Sequence, residues 1–169
     1  MNEESQISQR GIEMPASPIR KLTPLAYAAE DKGVKIYRLN IGQPDLPTPQ
    51  KALDVLKHVE RRKCLIDGVN KIPDCYSPMP MGAFYTVAQL PVKDTEKFCA
   101  WCLSDFCWKD EKTPEGKIGE TIMMAPAAGF YSTPDMGMNQ VRLAYVLKKE
   151  DIQRVLFLLE KALNQFGNE

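Results

Sequence analysis

Apolar residues recur at helical spacing in four separate stretches of the chain and crowd into short runs between them. Ile19, Leu22, Leu25, Ala26 and Ala29 fall three or four residues apart, which predicts a first helix. Ser17 can cap it, Pro18 suits its first turn, Gly33 supplies a stop, and Pro24 argues for a kink or a later start. Residues 34–39 alternate apolar and basic side chains and predict a short strand with one buried face. Leu53, Leu56, Val59, Leu65 and Ile66 then form a stripe that predicts a helix over residues 50–66, entered through Thr48 and Pro49 and stopped by Gly68. That stripe falters at residues 60–63, which are all charged. Residues 81–90 read as the clearest strand, entered past Pro78, Pro80 and Gly82. Asp94 or Thr95 opens a helix to about Trp108, with Phe98, Cys102 and Phe106 on one face. Residues 121–125 and 141–147 are short apolar runs suited to buried strands. A strongly amphipathic helix over residues 149–166 closes the pattern, with Ile152, Val155, Leu156, Leu159 and Leu163 facing inward.

The intervening segments are polar or broken. Residues 1–13 have no periodicity and read as a loose arm. Residues 40–49 carry Gly42, Pro44, Pro47 and Pro49, which forbid regular structure and imply a fixed loop. Residues 109–120 are charged and hold Pro114, Gly116 and Gly119, as a surface loop does. Helices alternating with short strands predict an α/β fold, one small sheet with helices packed on it.

Composition narrows the classes of function. A chain of 169 residues is one domain's worth and can bury a real core. Lysine plus arginine equals aspartate plus glutamate at 22 each, which gives no electrostatic case for nucleic acid or an anionic membrane surface. No apolar run is long enough to cross a bilayer, and the polar N-terminal stretch is unlike a secretory signal, so a cytoplasmic location is expected. Five cysteines, an odd number, fit free thiols in a reducing compartment.

Candidate chemistry centres on the stretch from Gly129 to Leu147, a turn-rich loop broken by Pro134 and Gly137 that leads into an apolar run. Its only charges are Asp135 and Arg142. An arginine inside such a run must snorkel, pair with a carboxylate, or point into a cleft where an anionic ligand supplies the carboxylate, and the residues alone leave these readings open. Cys99 and Cys102, with Cys107 nearby, admit a thiol or metal role, but they fall inside a predicted helix with no second pair at zinc-site spacing, so core packing is the plainer reading. His58 is the sole histidine and has no nucleophile that the sequence can place beside it. Asp45 and Asp54 could be imagined as an acid pair, but turn and helix-surface roles fit them better. Phe84, Tyr85, Phe130 and Tyr131 read as core and loop packing.

An ordered set of motifs resembles a known family. Asn40-Ile-Gly-Gln-Pro-Asp45 with Pro47-Thr-Pro, Lys71-Ile-Pro, Pro80-Met-Gly-Ala-Phe-Tyr85, Met124-Ala-Pro-Ala-Ala-Gly-Phe-Tyr131 and Val141-Arg-Leu-Ala-Tyr145 look like the class I and II aminotransferases, pyridoxal-phosphate enzymes of fold type I, in their aspartate-aminotransferase-like branch. The motifs keep the family order and span nearly all of residues 14–166. The resemblance implies the family's small domain, residues 14–59 supplying its N-terminal segment and residues 60–169 the rest. The two are joined directly at about residues 59–62, where the family inserts its large domain. With that domain would go the Schiff-base lysine, and no lysine here stands in the family's serine-rich context, so pyridoxal phosphate is the cofactor by family with no covalent attachment expected to this chain. Carried over by position, Arg142 matches the arginine that grips the substrate α-carboxylate, a task for a planar bidentate fork. Gly42 matches the loop glycine that lets backbone approach the same carboxylate. The implied partners are the carboxylate of an amino acid or 2-oxo acid, weakly held, and a second copy or a related subunit, as in the family's dimers. The alternative reading is a non-catalytic small-domain module. Self-association is also expected, through apolar surface at Leu53, Leu56, Met136 and Met138 that the missing domain would have covered.

Overall fold

The computed structural model of the chain describes residue 17, residues 20–40, residue 42 and residues 51–167, with side chains from residue 59 onward in the last stretch. The expected arm over residues 1–13, most of the proline-rich loop with Asp45, and the side chains of Leu53, Asp54, Leu56 and His58 lie outside these.

Helix α1, Thr23–Asp31, carries Pro24 in its first turn. Of the two outcomes Pro24 allowed, the later start is realised, because a first-turn residue needs no N–H partner. A turn precedes it, with the Arg20 and Lys21 amides both donating to the Ser17 carbonyl at 3.0 Å. Gly33 ends it at φ +84° and turns the chain into β1, Val34–Arg38. The clean alternation expected of β1 does not hold. Lys35 lies on the face of buried Tyr37 and donates to its hydroxyl at 2.7 Å.

Helix α2, Lys51–Val69, runs unbroken through the charged positions where the apolar stripe falters. Long basic side chains take the place of apolar ones there: Arg61 is buried and donates to the Val146 carbonyl at 2.9 Å, and Arg62 donates to that of Pro80 at 3.0 Å. Gly68 does not stop this helix. It sits within the last turn, where a Cβ would come 2.1 Å from Leu156 Cδ1, so its missing side chain permits close packing against α4, Lys149–Phe166. Leu156 is therefore only half-buried at that crossing, and Leu158 and Ala162 complete the inward stripe instead.

Strand β2, Tyr85–Gln89, is shorter than the pattern suggested because residues 81–84 are bent. Helix α3, Thr95–Ser104, starts at the Asp94 cap, whose carboxylate accepts from the Glu96 and Lys97 amides. It ends at Ser104 rather than near Trp108, since Trp108 instead exchanges backbone hydrogen bonds of 2.9 and 2.8 Å with Glu120. The expected single strand over residues 121–125 is two, β3 at Gly119–Met123 and β4 at Ala125–Pro126, followed by a single 3-10 turn and β5 at Gln140–Ala144.

The fold is mixed α/β, with two small sheets where one was expected. β1 and β3 pair in parallel, Val34 opposite Gly119 and Arg38 opposite Met123. β5 lies between β2 and β4, antiparallel to both, so Val87 and Ala125 flank Arg142. Met124 is the break: before it the strand pairs with β1, after it with β5. Leu39 joins the two sheets, its amide donating to the Met123 carbonyl at 2.8 Å and its carbonyl accepting from the Ala144 amide at 3.0 Å.

Helices cover both faces of the parallel pair. Thr121 bonds the Cys102 carbonyl of α3, while Glu120, its neighbour, faces Arg154 of α4, which is why β3 is buried along its whole length. Phe166 at the end of α4 meets Phe98 and Trp101 of α3 at ring separations of 5.1 and 5.2 Å. Thr86, Ala88, Val141 and Leu143 on one face of the antiparallel sheet point into the core; the opposite, more open face buries Ala125 and Ala144 but, among the described residues, leaves Tyr85 and Gln89 exposed and Val87, Gln140 and Arg142 half-buried.

Candidate functional site

Period-two geometry decides where Arg142 goes. Val141 and Leu143 are the residues of β5 that fill the core, so Arg142 between them must project from the open face. Across the antiparallel ladder its direct neighbour is Val87, which places Tyr85 on the diagonal, within reach of a long side chain. The guanidinium carbon lies 4.1 Å from the centre of the Tyr85 ring. Nη1 donates to the Asn40 carbonyl at 3.3 Å.

No carboxylate pairs with Arg142 among the described residues, and Nε and Nη2, the side-on pair of donors, have no partner there. Of the three sequence readings, the structural ion pair is thus not the one formed among these residues. Arg154 is the contrast. It makes a bidentate pair with Asp110, Nη1 and Nη2 donating at 3.0 and 2.7 Å, and its Nε and Nη2 also donate to Glu120.

Gly42 belongs to the same corner. The group packed on Gly42 is the Phe84 ring, whose Cε2 lies 1.8 Å from where a Cβ would stand, rather than a carboxylate. Phe84 in turn meets Tyr85 edge-on at 5.6 Å and 79°. A strained turn aims this pair, since Ala83 holds φ +61°, a conformation unfavourable to any residue with a Cβ. Buried Tyr145 pins the turn, its hydroxyl reaching the carbonyls of Ala83 at 2.9 Å and Gly82 at 3.2 Å and its amide donating to that of Phe84 at 2.9 Å. Farther along the open face the Tyr131 hydroxyl meets Gln140 Oε1 at 2.6 Å. Phe84, Tyr85, Phe130 and Tyr131 are therefore not core residues, as the sequence suggested. All four are exposed, because they sit on the uncovered side of the sheet and its loops.

Gly42 thus lies against Phe84, the neighbour of the Tyr85 ring under Arg142, while the cysteine candidates lie elsewhere and Asp45 and the side chains of Asp54 and His58 fall outside the described residues. Cys99 and Cys102 point into the core from α3, where burial above all holds both thiols far above the usual thiol range. Among the described residues no three His, Cys, Asp or Glu side chains are placed to hold a metal. Sequence reasoning missed the network on the parallel pair. There the Tyr37 hydroxyl donates to Glu120 at 2.7 Å, and the Arg154 hydrogen bonds, ahead of those from Trp108 and the Lys112 amide, hold the Asp110 carboxyl well below the usual range. It also missed Tyr85 and Asn40 as neighbours of Arg142. The available signal for Tyr85 was strand parity, which puts residues 85, 87 and 89 on one face.

The chain is similar in fold to solved aminotransferases. An alanine aminotransferase from Pyrococcus furiosus matches with a TM-score of 0.50 and 18% identity over 67% of this chain and 25% of its own. An aminotransferase from Mycobacterium tuberculosis matches at 0.50 and 23% identity, over 66% of this chain and 25% of its own. An α-aminoadipate aminotransferase from Thermus thermophilus, solved with N-(5'-phosphopyridoxyl)-L-leucine, matches at 0.50 and 17% identity, over 65% and 25%. The chain spans about a quarter of the length of each of these proteins. No family model matches it, and no curated protein matches it in sequence.

The strand positions of this face supply no amine for covalently held pyridoxal phosphate. Its strand positions are 85, 87 and 89 on β2, 125 on β4, and 140, 142 and 144 on β5, and none of these is a lysine. Among these described positions no imine-forming amine accompanies the one cation, Arg142.

Proposed function

We propose that Arg142 takes the carboxylate of an amino acid or a 2-oxo acid, and that the chain corresponds to the substrate-gripping small domain of an aminotransferase rather than to its cofactor-holding part. The observation that carries this reading is a half-buried arginine on the more open sheet face, its guanidinium carbon over the Tyr85 ring, Nη1 donating to the Asn40 carbonyl, and no carboxylate beside it among the described residues. A guanidinium so placed offers Nε and Nη2 side by side, the spacing that a carboxylate accepts with both oxygens. The likeness in fold to aminotransferases over a quarter of their length supports the domain assignment. On this reading residues 14–59 and 60–169 are two small-domain segments joined at residues 59–62 inside α2. The chain does not transaminate unaided, because pyridoxal phosphate chemistry needs a lysine amine held against the ring.

What the chain's own residues do is then limited and concrete. Arg142 binds and orients the carboxylate, Tyr85 and Phe84 wall off one side from water, and Gly42 leaves room for the Phe84 ring. With all five thiols free, the reading places the protein in a reducing compartment, the cytoplasm. The described helices include none long and apolar enough to cross a membrane.

The test is a titration of isotope-labelled protein with pyruvate, followed by amide spectra, alongside Arg142→Gln. Saturable shifts at β5 that disappear in the variant are expected. Unchanged binding by Arg142→Gln would overturn the assignment. A parallel incubation with pyridoxal phosphate, borohydride and peptide mapping is expected to label surface lysines without stoichiometry, and one lysine labelled fully and released by an amino acid would refute the division of labour.

A second reading, pairing with another copy or a related subunit, is favoured by the apolar side chains before β2. Met81 is 93% exposed, and Met79 and Phe84 beside it are also exposed, as is Met136. Sedimentation velocity giving a single monomer at all concentrations would count against it.

A further inference from the structure

Among the described residues Arg142 makes two contacts of different kinds. Nη1 donates to the Asn40 carbonyl at 3.3 Å, and the guanidinium carbon lies over the Tyr85 ring, 4.1 Å from its centre. The carbonyl alone fixes one atom and leaves the group free to swing about it. The ring removes that freedom, since a guanidinium lying on an aromatic face keeps its plane and turns its remaining edge outward. The edge left over is Nε and Nη2, the pair a carboxylate needs.

Tyr85 itself is built into place by its surroundings. Ala83 bears the positive φ, Tyr145 pins the carbonyls of Gly82 and Ala83, and Phe84 stands edge-on to the Tyr85 ring while filling the space over Gly42. Among the described residues the Tyr85 hydroxyl has no hydrogen-bond partner, and the ring remains more than a third exposed, 38% of the residue's surface. Packing does not explain its size. Strain gathered at a turn that delivers an exposed ring under an arginine is the pattern of a site arranged in advance of its ligand.

We infer that Tyr85 is the positioning residue for Arg142: its ring face, not its hydroxyl, aims the side-on donor edge for a carboxylate ligand. This rests on the reading of Arg142 as a carboxylate site. Tyr85→Phe is expected to bind pyruvate as the parent protein does, because the face is kept. Tyr85→Leu is expected to bind it roughly 3–10-fold more weakly, the scale of a cation–π contact together with the ordering of one long side chain.

A spectroscopic readout separates aim from stability. The Arg142 Nε–H resonance of the unliganded protein is expected to be shifted by the ring current, to keep that shift in Tyr85→Phe, and to lose it in Tyr85→Leu. If Tyr85→Leu binds pyruvate as tightly as the parent while Arg142→Gln abolishes binding, the inference fails and the carboxylate site stands. If Arg142→Gln changes nothing, the site reading fails and takes the inference with it. Should Tyr85→Leu not fold, an unshifted Nε–H in the parent protein, or loss of binding in a folded Tyr85→Phe, overturns the inference by itself.

Discussion

Replacing Arg154 with leucine should be among the most damaging single changes outside the apolar core. Glu120 is 0% exposed, and its carboxylate is held by Arg154 Nε and Nη2 and by the Tyr37 hydroxyl. Arg154→Leu leaves that carboxylate in the interior with the hydroxyl and no direct cation. Breaking a buried ion pair from one side costs about 3–5 kcal/mol. At about 2–4 °C per kcal/mol for a domain of this size, Tm should fall by roughly 6–20 °C. The pH dependence has a definite sign. An uncompensated buried carboxylate has its folded pKa raised, so the penalty is absent below the unfolded value near 4.3 and grows as pH rises. In the parent protein Asp110 is depressed instead, so its contribution is present above its unfolded pKa, near 3.9, and is lost as pH falls through the folded value. The first effect narrows the gap between variant and parent on acidification from pH 7 towards 4, and the second narrows it further below about pH 4. Thermal unfolding followed by circular dichroism at several pH values reads it directly. The double variant Arg154→Leu with Glu120→Leu should recover most of the loss, since an apolar pair of similar volume replaces a buried ion pair at little cost. A loss under about 1 kcal/mol at pH 7, or a gap that widens on acidification, would refute the reasoning.

Three further outcomes follow from the geometry. Ala83→Gly relieves a left-handed backbone angle and should stabilise the protein by roughly 0.5–1 kcal/mol in urea unfolding, the strain relieved exceeding the entropy glycine adds to the unfolded chain; a loss of stability would contradict the strain. Gly42→Ala drives a methyl into the Phe84 ring and should lower stability by about 1–3 kcal/mol while moving the Phe84 resonances, whereas an unmoved ring would count against the contact. Native thiol titration should find Cys107 fast and Cys64 slower, with Cys99 and Cys102 reacting only on unfolding; burial and then Asp74 push the Cys75 thiol up to about 11, so it too should resist at neutral pH, and rapid reaction of all five would place the core wrongly.

The elements were legible where one face meets the core and nothing competes. α4 shows it: Ile152, Val155, Leu159 and Leu163 at helical spacing located the helix to its ends. The errors came where a distant partner decided. Gly68 looked like a stop because a glycine's local meaning is a helix end, yet Leu156, far along the chain, makes it a packing site. Trp108 left its helix for a bridge to Glu120, which no local pattern announces. The network of Tyr37, Asp110, Glu120 and Arg154 joins four separate segments, and each residue alone reads as an ordinary surface group. At the site, parity placed Arg142 on a face but could not say which face stayed open. That depends on what packs over the sheet from distant segments, which buries Ala125 and Ala144 on this face but leaves Tyr85 and Gln89 exposed.

The parallel pairing of β1 with β3 has a consequence for synthesis. Arg38 lies opposite Met123, 85 positions further along the chain. At about 5–20 residues per second, roughly 4–17 seconds pass after β1 is made before its pairing strand is translated. Until then the Val34, Ile36 and Tyr37 side chains have no sheet to enter, and Leu39 cannot link sheets that do not yet exist. The N-terminal third is thus a nascent chain that waits on the ribosome, exposed to chaperones, and closes only when the C-terminal half has emerged.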